Sequence, residues 1–269
     1  YGSWSSPITA EVVVAGAALV FREPVGWRRW TAIFIGLLGV VVIVQPSGDS
    51  FSMLSLLAVV GIIYGALGCL AQTDMKRLIA FSSVAHMGFV MLGIATLTDF
   101  GINAAIMGMV AHGLITGMLF FVAGSVKERF HTLEIDRLGG LLVQAPRMGW
   151  IFGFCVMASL GLPGFSGFIA EFQIFAGALG AVPVATVVAV TGVLLTAALF
   201  LVAMGRMLSG DVRVPDAPGT PRPFPDLDAR ELLAIGALLV LATVLGLLPR
   251  VLLDVIEPAA RTLGDLVTR

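Results

Sequence analysis

Four ionisable side chains stand well inside apolar runs of this sequence: Glu11, His86, His112 and Glu171. An ionised group at mid-bilayer costs about 2.5–3.5 kcal/mol on insertion scales, so a side chain of this kind in hydrocarbon is a functional candidate by default. Two of the four are histidines. Imidazole titrates at about pH 6.5, so it takes up and releases protons under conditions where Lys and Arg stay charged. A carboxylate within reach completes a donor–acceptor chain, and the chemistry these residue types suit is proton transfer.

Depth singles out three of them. Counted along a helix from Arg77, His86 lies about 13 Å deep; counted from Gly101 on the opposite face, His112 lies about 16 Å deep. The two imidazoles therefore reach the midplane on consecutive antiparallel helices. Either histidine alone is equally well read as an interhelical hydrogen-bonding group; two at matched depth read as a relay. Glu171 follows Gly161-Leu162-Pro163-Gly164-Phe165-Ser166-Gly167, a poor helical stretch. A break there (Gly161, Pro163, Gly164, Gly167) frees backbone groups, which is tolerable only where protein or water covers them. Half-helix ends at such breaks carry partial charges that hold ions or carboxylates. The alternative for Glu171 is an interhelical hydrogen bond. Glu11 sits near the outer end of its run, within reach of headgroups. Lys76 and Arg77 read as an anchor at a helix start, with Asp74 placed to cap it.

The elements that hold these groups are membrane spans. The chain is 58% hydrophobic and 12% charged, with a mean hydropathy of +1.01, against about 25% charged residues in soluble domains. Water-facing surface needs charge and lipid-facing surface does not, so the lipid bilayer is the expected surroundings. About eight spans are expected, near 4–21, 30–45, 52–72, 77–97, 101–126, 148–180, 182–208 and 231–256: an all-α polytopic bundle. The run 148–180 would reach about 50 Å as one helix, well beyond a bilayer of about 30 Å. It is either two spans with a tight turn or one span broken in the middle. Charge decides for one broken span: all of the 16 Lys and Arg except Arg250, Arg261 and Arg269 then share one face. Positive loops stay cytoplasmic, which puts both termini outside. The segment 209–230, with Pro215, Pro218, Pro221, Pro223 and Pro225, reads as a solvated cytoplasmic connector.

Other chemistry is not indicated. A net charge of −1 gives no reason to expect nucleic acid. Cys69 and Cys155 lie in apolar runs and read as small packing residues. No phosphate-binding loop and no cluster at metal-ligand spacing stands out, so neither a metal nor a redox cofactor is expected in this chain. Gly61 with Gly65 and Gly113 with Gly117 are spaced for close helix approach. The sequence opens at Tyr1 without a basic leader, so no signal peptide is expected.

From about residue 56 the sequence resembles a known family. The stretches LLAVVGIIYGALGCLAQTDMKRLIAFSSVAHMGFVMLGI, MVAHGLITGMLFFVAGSVKERFHT, LGGLLVQAPRMG and SLGLPGFSGFIAEF are similar to subunit M of bacterial NADH-quinone oxidoreductase, an antiporter-like module of respiratory complex I. Sister subunits and multisubunit cation/proton antiporters share that module. The resemblance implies that His86 and His112 lie on a central proton path and that Glu171 stands at its exit on a discontinuous helix. It implies partners among the other membrane subunits of a respiratory complex, with NADH and quinone bound elsewhere. It further implies a bacterial cytoplasmic membrane. In the family, earlier helices supply a glutamate and two lysines to the path; here Lys76 and Lys127 both stand at loops.

The first fifty residues, with PITAEVVVAGAALVFREPVGWRRWTAIFIGLLGVVVIVQPSG, resemble the drug/metabolite transporter superfamily of EamA type. The expectation is a hybrid with its seam near 46–58: a two-helix segment over 1–50 and the C-terminal part of a proton-translocating module over 51–269. Helices of such a hybrid should fold, while complete proton transfer would fail without the missing lysines. Two other readings stay open: a small-metabolite exporter, and an inactive fusion or truncation product.

Overall fold

The computed structural model describes residues 53–209, 211–213 and 225–267. The apolar runs at 4–21 and 30–45, and Glu11 with them, lie outside the described residues. Within those residues the chain is a helical membrane bundle. Its helices are α1 Met53–Leu70, α2 Met75–Ala95, α3 Asp99–Phe130, the short α4 Leu141–Gln144, α5 Pro146–Ser159, α6 Ser166–Ala181, α7 Pro183–Leu208, α8 Ala229–Leu247 and α9 Arg250–Val267. Five of these, α1, α2, α3, α7 and α8, are long and apolar enough to cross a membrane, and α6 is a shorter apolar helix.

Local chemistry sets the helix ends. Asp74 is the N-cap of α2, its carboxylate accepting from the Arg77 N–H at 3.0 Å. Thr98 caps α3 by accepting from the Gly101 N–H at 3.1 Å. At the other end of α3, Lys127 and Arg129 fall in the last turn, where cations complement the helix dipole. Helix α3 therefore runs one turn beyond the expected 101–126. Asp228 and Glu231 form a capping box at the start of α8, satisfying two orphan N–H groups reciprocally.

Helix α3 is the hub, packed against α2, α5, α6, α8 and α9. Lipid tails are as apolar as the side chains, so helices in a bilayer associate through close packing rather than exclusion of water. Gly65 shows this between α1 and α2: a Cβ there would collide with the backbone of Ala85 and Phe81. Gly113 and Gly117 do not serve this way. A Cβ on Gly113 would meet nothing within 4 Å, and one on Gly117 only Leu238 at 3.8 Å.

The long run 148–180 is broken. Helix α5 ends at Ser159 and α6 begins at Ser166. Gly161 has φ 67° and Gly164 has φ 104°, left-handed values that suit glycine and disfavour other residues. Each half is too short to cross about 30 Å of hydrocarbon alone, and the halves touch each other little, unlike a zipped hairpin. Helix α8 covers the break: a Cβ on its Gly246 would overlap the Gly164 carbonyl and Phe165.

Two expectations change here. The run 231–256 is not one helix, because α8 stops at Leu247 and α9 starts at Arg250. Pro249 donates no N–H and pushes Leu248 out of helical geometry. Beyond it, Asp254, Glu257 and Arg261 give α9 a polar side, while Leu252, Leu253 and Ile256 pack toward Met107 and Ala111. The connector 209–230 is also less free than a solvated loop at its described end. The Asp226 carboxylate accepts from the N–H groups of Arg147 and Met148 at 2.8 and 3.0 Å, capping α5 from another part of the chain.

Candidate functional site

His86 and His112, singled out by depth, and Glu171, singled out by the helix break, come together between α2, α3, α5 and α6. His86 on α2 and His112 on α3 have ring centroids 5.4 Å apart. Glu171 on α6 brings Oε1 to 3.2 Å from His86 Nδ1, with the two side chains 16% and 13% exposed. His86 is therefore the middle member, flanked by His112 on one side and Glu171 on the other. The three line a small cavity of about 30 Å³ with Ala111, Ser159, Gly167 and Ala170 among its walls. That is room for about one water molecule.

The break shapes the carboxylate's position. Because α6 restarts at Ser166, Glu171 falls in its second turn and points back toward the interruption. A Cβ on Gly161 would lie 2.8 Å from Glu171 Oε2, so the bare glycine leaves space for that oxygen. Gly167 plays a similar part, since a Cβ there would sit 2.9 Å from the Ala158 carbonyl oxygen and 3.2 Å from Ile115. Pro163 lies between the two left-handed glycines and keeps the chain from resuming helix early.

Two hydroxyls hold the imidazoles, and neither was singled out in the sequence. Thr116 Oγ1 is 3.0 Å from His112 Nε2. Ser159 Oγ, at the C-terminal end of α5, is 3.4 Å from His86 Nε2. Thr116 was detectable, because residues four apart share a helix face. Ser159 meets His86 only through tertiary packing.

The remaining candidates lie elsewhere. Asp74, Lys76 and Arg77 stand at the start of α2, with Lys76 and Arg77 exposed. Cys69 and Cys155 are buried and unbridged, and no group of three or more potential metal ligands occurs among the described residues. A second polar centre escaped the sequence reading. Arg129, at the end of α3, pairs with Glu231 of α8 through Nη2–Oε2 at 2.5 Å and Nη1–Oε1 at 2.9 Å. Ser125 Oγ donates to the same carboxylate at 2.6 Å. Arg129 also donates to the Pro225 and Asp226 carbonyls at 2.7 and 3.1 Å.

Comparison with known proteins bears on both halves of the chain. Subunit M of the NADH-quinone oxidoreductase of Pseudomonas aeruginosa is 36% identical over 255 residues, 94% of this chain and 48% of that protein. The Rickettsia felis subunit M is 34% identical over 258 residues, 96% of this chain and 50% of that protein. The chain thus spans about half the length of the curated relatives it matches. A chain in the structure of respiratory complex I from Thermus thermophilus with bound NADH aligns with a TM-score of 0.71 at 31% identity, covering 80% of this chain and 44% of that one. A chain of the Mrp complex from Dietzia sp. shares the fold with a TM-score of 0.69 at 24% identity, over 80% of this chain and 47% of that one.

The family described as NADH:quinone oxidoreductase/Mrp antiporter, TM matches residues 30–196. That match starts inside the segment likened to drug/metabolite transporters, and it crosses the supposed seam near 46–58. The hybrid reading therefore finds no support. Uninterrupted similarity across the seam, together with a helical membrane fold shared with complex I at 31% identity, makes this chain a member of the NADH:quinone oxidoreductase/Mrp antiporter transmembrane family.

Proposed function

We propose that this chain is part of a proton-translocating membrane subunit of a bacterial NADH-quinone oxidoreductase, resident in the cytoplasmic membrane and assembled with other membrane subunits of that complex. One observation carries the reading: His86 stands between a second imidazole and a carboxylate, inside a water-sized cavity in a helical bundle. His112 takes a proton arriving from the cytoplasmic side, where the Lys- and Arg-rich loops face. Through one water in the cavity the proton passes to His86, and from Nδ1 of His86 to Oε1 of Glu171. Glu171, beside the break in the span, releases it outward. Each step moves one proton between neighbouring groups; having given its Nδ1 proton to Glu171, neutral His86 keeps its hydrogen on Nε2, and Nδ1 must regain a proton before the next transfer.

The chain carries no redox chemistry in this reading; NADH oxidation and quinone reduction occur in other subunits and drive the relay from a distance. Lys76 and Lys127, exposed at helix ends away from the cavity, take no part in this relay. The test is quinone-coupled proton pumping by membrane vesicles bearing His112→Ala or Glu171→Gln in the assembled complex. Strong loss of pumping is expected for both, with the variant subunits still incorporated. Pumping that is unchanged in both variants would defeat the assignment.

A further inference from the structure

Two aromatic rings stand over the His86–Glu171 contact on the side away from the Lys- and Arg-rich loops. Phe89 on α2 follows His86 by three residues, and Phe175 on α6 follows Glu171 by four, so each ring lies about 5 Å farther along its helix. The two helices run the same way past the pair: beyond it on both, a Cβ on Gly93 of α2 would lie 3.2 Å from Ile174 of α6. Phe89 meets His86 edge-to-face with ring centroids 6.0 Å apart, and meets Phe175 in the same manner at 5.6 Å. This is a preferred arrangement of aromatic rings. Phe89 is buried and lines the cavity, while Phe175 is half-buried. Leu92, Ala104, Ile174 and Ala178 belong to the same apolar cluster.

We infer that Phe89 and Phe175 form an apolar gate between the His86–Glu171 pair and the outer face, and that Glu171 gives up its proton outward only when the two rings part. The gate rests on the proton-relay reading of the site and deepens it. A proton crosses a protein by moving between polar groups and water molecules. A gap lined by hydrocarbon stays dry, and apolar constrictions in channels close by losing their water. The cavity has room for about one water beside the imidazoles, and hydrocarbon stands directly outward of it.

Phe175 is the less buried of the two rings, and its swing away from Phe89 is a side-chain motion that leaves the helices in place. Water entering behind it would join Glu171 to the outer face. With the rings together, protons from outside are kept from running back to His86 while the complex is idle. The gate therefore makes the relay hold a gradient as well as conduct.

The test is the passive decay of an imposed pH gradient across membrane vesicles carrying the assembled complex, without NADH. Leucine and glutamine have nearly the same volume, so Phe175→Leu and Phe175→Gln remove the same ring and differ in whether the gap attracts water. Phe175→Gln should speed the decay severalfold over native vesicles, and Phe175→Leu should stay close to native. Adding Glu171→Gln to Phe175→Gln should abolish the extra leak, because the group it passes through is then gone. Phe89→Gln and Phe89→Leu make the same comparison from the opposite ring, should a Phe175 variant fail to assemble. Equal decay in the glutamine and leucine variants of either assembled pair, or extra leak that survives Glu171→Gln, would overturn the inference. Leak is measured without pumping: the gate fails on unchanged leak even where His112→Ala and Glu171→Gln lose pumping, and the relay fails on unchanged pumping alone.

Discussion

Replacing Arg129 by Leu should destabilise the bundle by about 3 kcal/mol, because it strands a partly buried carboxylate. Exposed ion pairs are worth about 0–1 kcal/mol, since water and salt screen them. This pair is different: the Arg129 and Glu231 side chains are only 10% and 22% exposed, and the contact is bidentate. Removing one partner of a buried pair costs about 3–5 kcal/mol, chiefly through the uncompensated charge left behind. The lower end applies here because Glu231 would keep the Ser125 hydroxyl at 2.6 Å and the Asp228 N–H at 2.9 Å. About 3 kcal/mol is more than a hundredfold in the folded population. The assay is equilibrium unfolding of the purified chain in mixed micelles by detergent titration, followed by circular dichroism. The double variant Arg129→Leu/Glu231→Leu should recover most of the loss, because no charge is then left unpaired. A single-variant cost below about 1 kcal/mol, as for an exposed pair, would refute the reasoning. So would a double variant no more stable than the single one.

Further outcomes follow from the same geometry. Gly161→Ala forces an L side chain into a left-handed conformation, at about 1–2 kcal/mol, and brings its Cβ against the Glu171 carboxylate. Vesicle pumping should fall sharply while helix content by circular dichroism holds. Gly180→Ala, where a Cβ meets nothing within 4 Å, should leave pumping intact; equal effects of the two would remove the special role of the break. Asp226→Ala uncaps α5 and should lower stability by about 0.5–2 kcal/mol, measured by the same micelle titration. Asp226→Asn keeps one acceptor oxygen but sets its NH2 against the second N–H that the carboxylate now satisfies, so it should recover only part of that loss. No difference between the two would show that the cap contributes little.

The residues of the candidate site were legible in unequal measure. Counting from Arg77 and Gly101 set His86 and His112 at matched heights on neighbouring helices, and their rings do lie 5.4 Å apart, because helical rise hardly varies. Glu171 stood out beside Gly161, Pro163 and Gly164, whose backbone preferences make continuous helix improbable. Ser159 gave no such signal: a lone serine near a helix end is ordinary, and only the rotation of α5 against α2 turns it to His86. Asp226 was equally silent, because it caps a helix 78 residues away in sequence. Pro249 was visible, but Val251, Leu252 and Leu253 continue the apolar run and masked the end of α8. Gly113 and Gly117 carry the spacing of a packing motif without the packing, since spacing alone does not say which side of a helix meets a neighbour.

What the chain's order of residues settled unaided is its solvent and its vertical scale. Sparse charge and long apolar runs commit it to lipid, and a fixed rise per residue converts sequence position into depth. Direction around each helix axis is another matter. It follows from how side chains on five or more helices interlock, and no local rule supplies it. Only that packing turned one nitrogen of His86 to Glu171 and the other to Ser159, because lateral neighbours are chosen by the whole bundle at once.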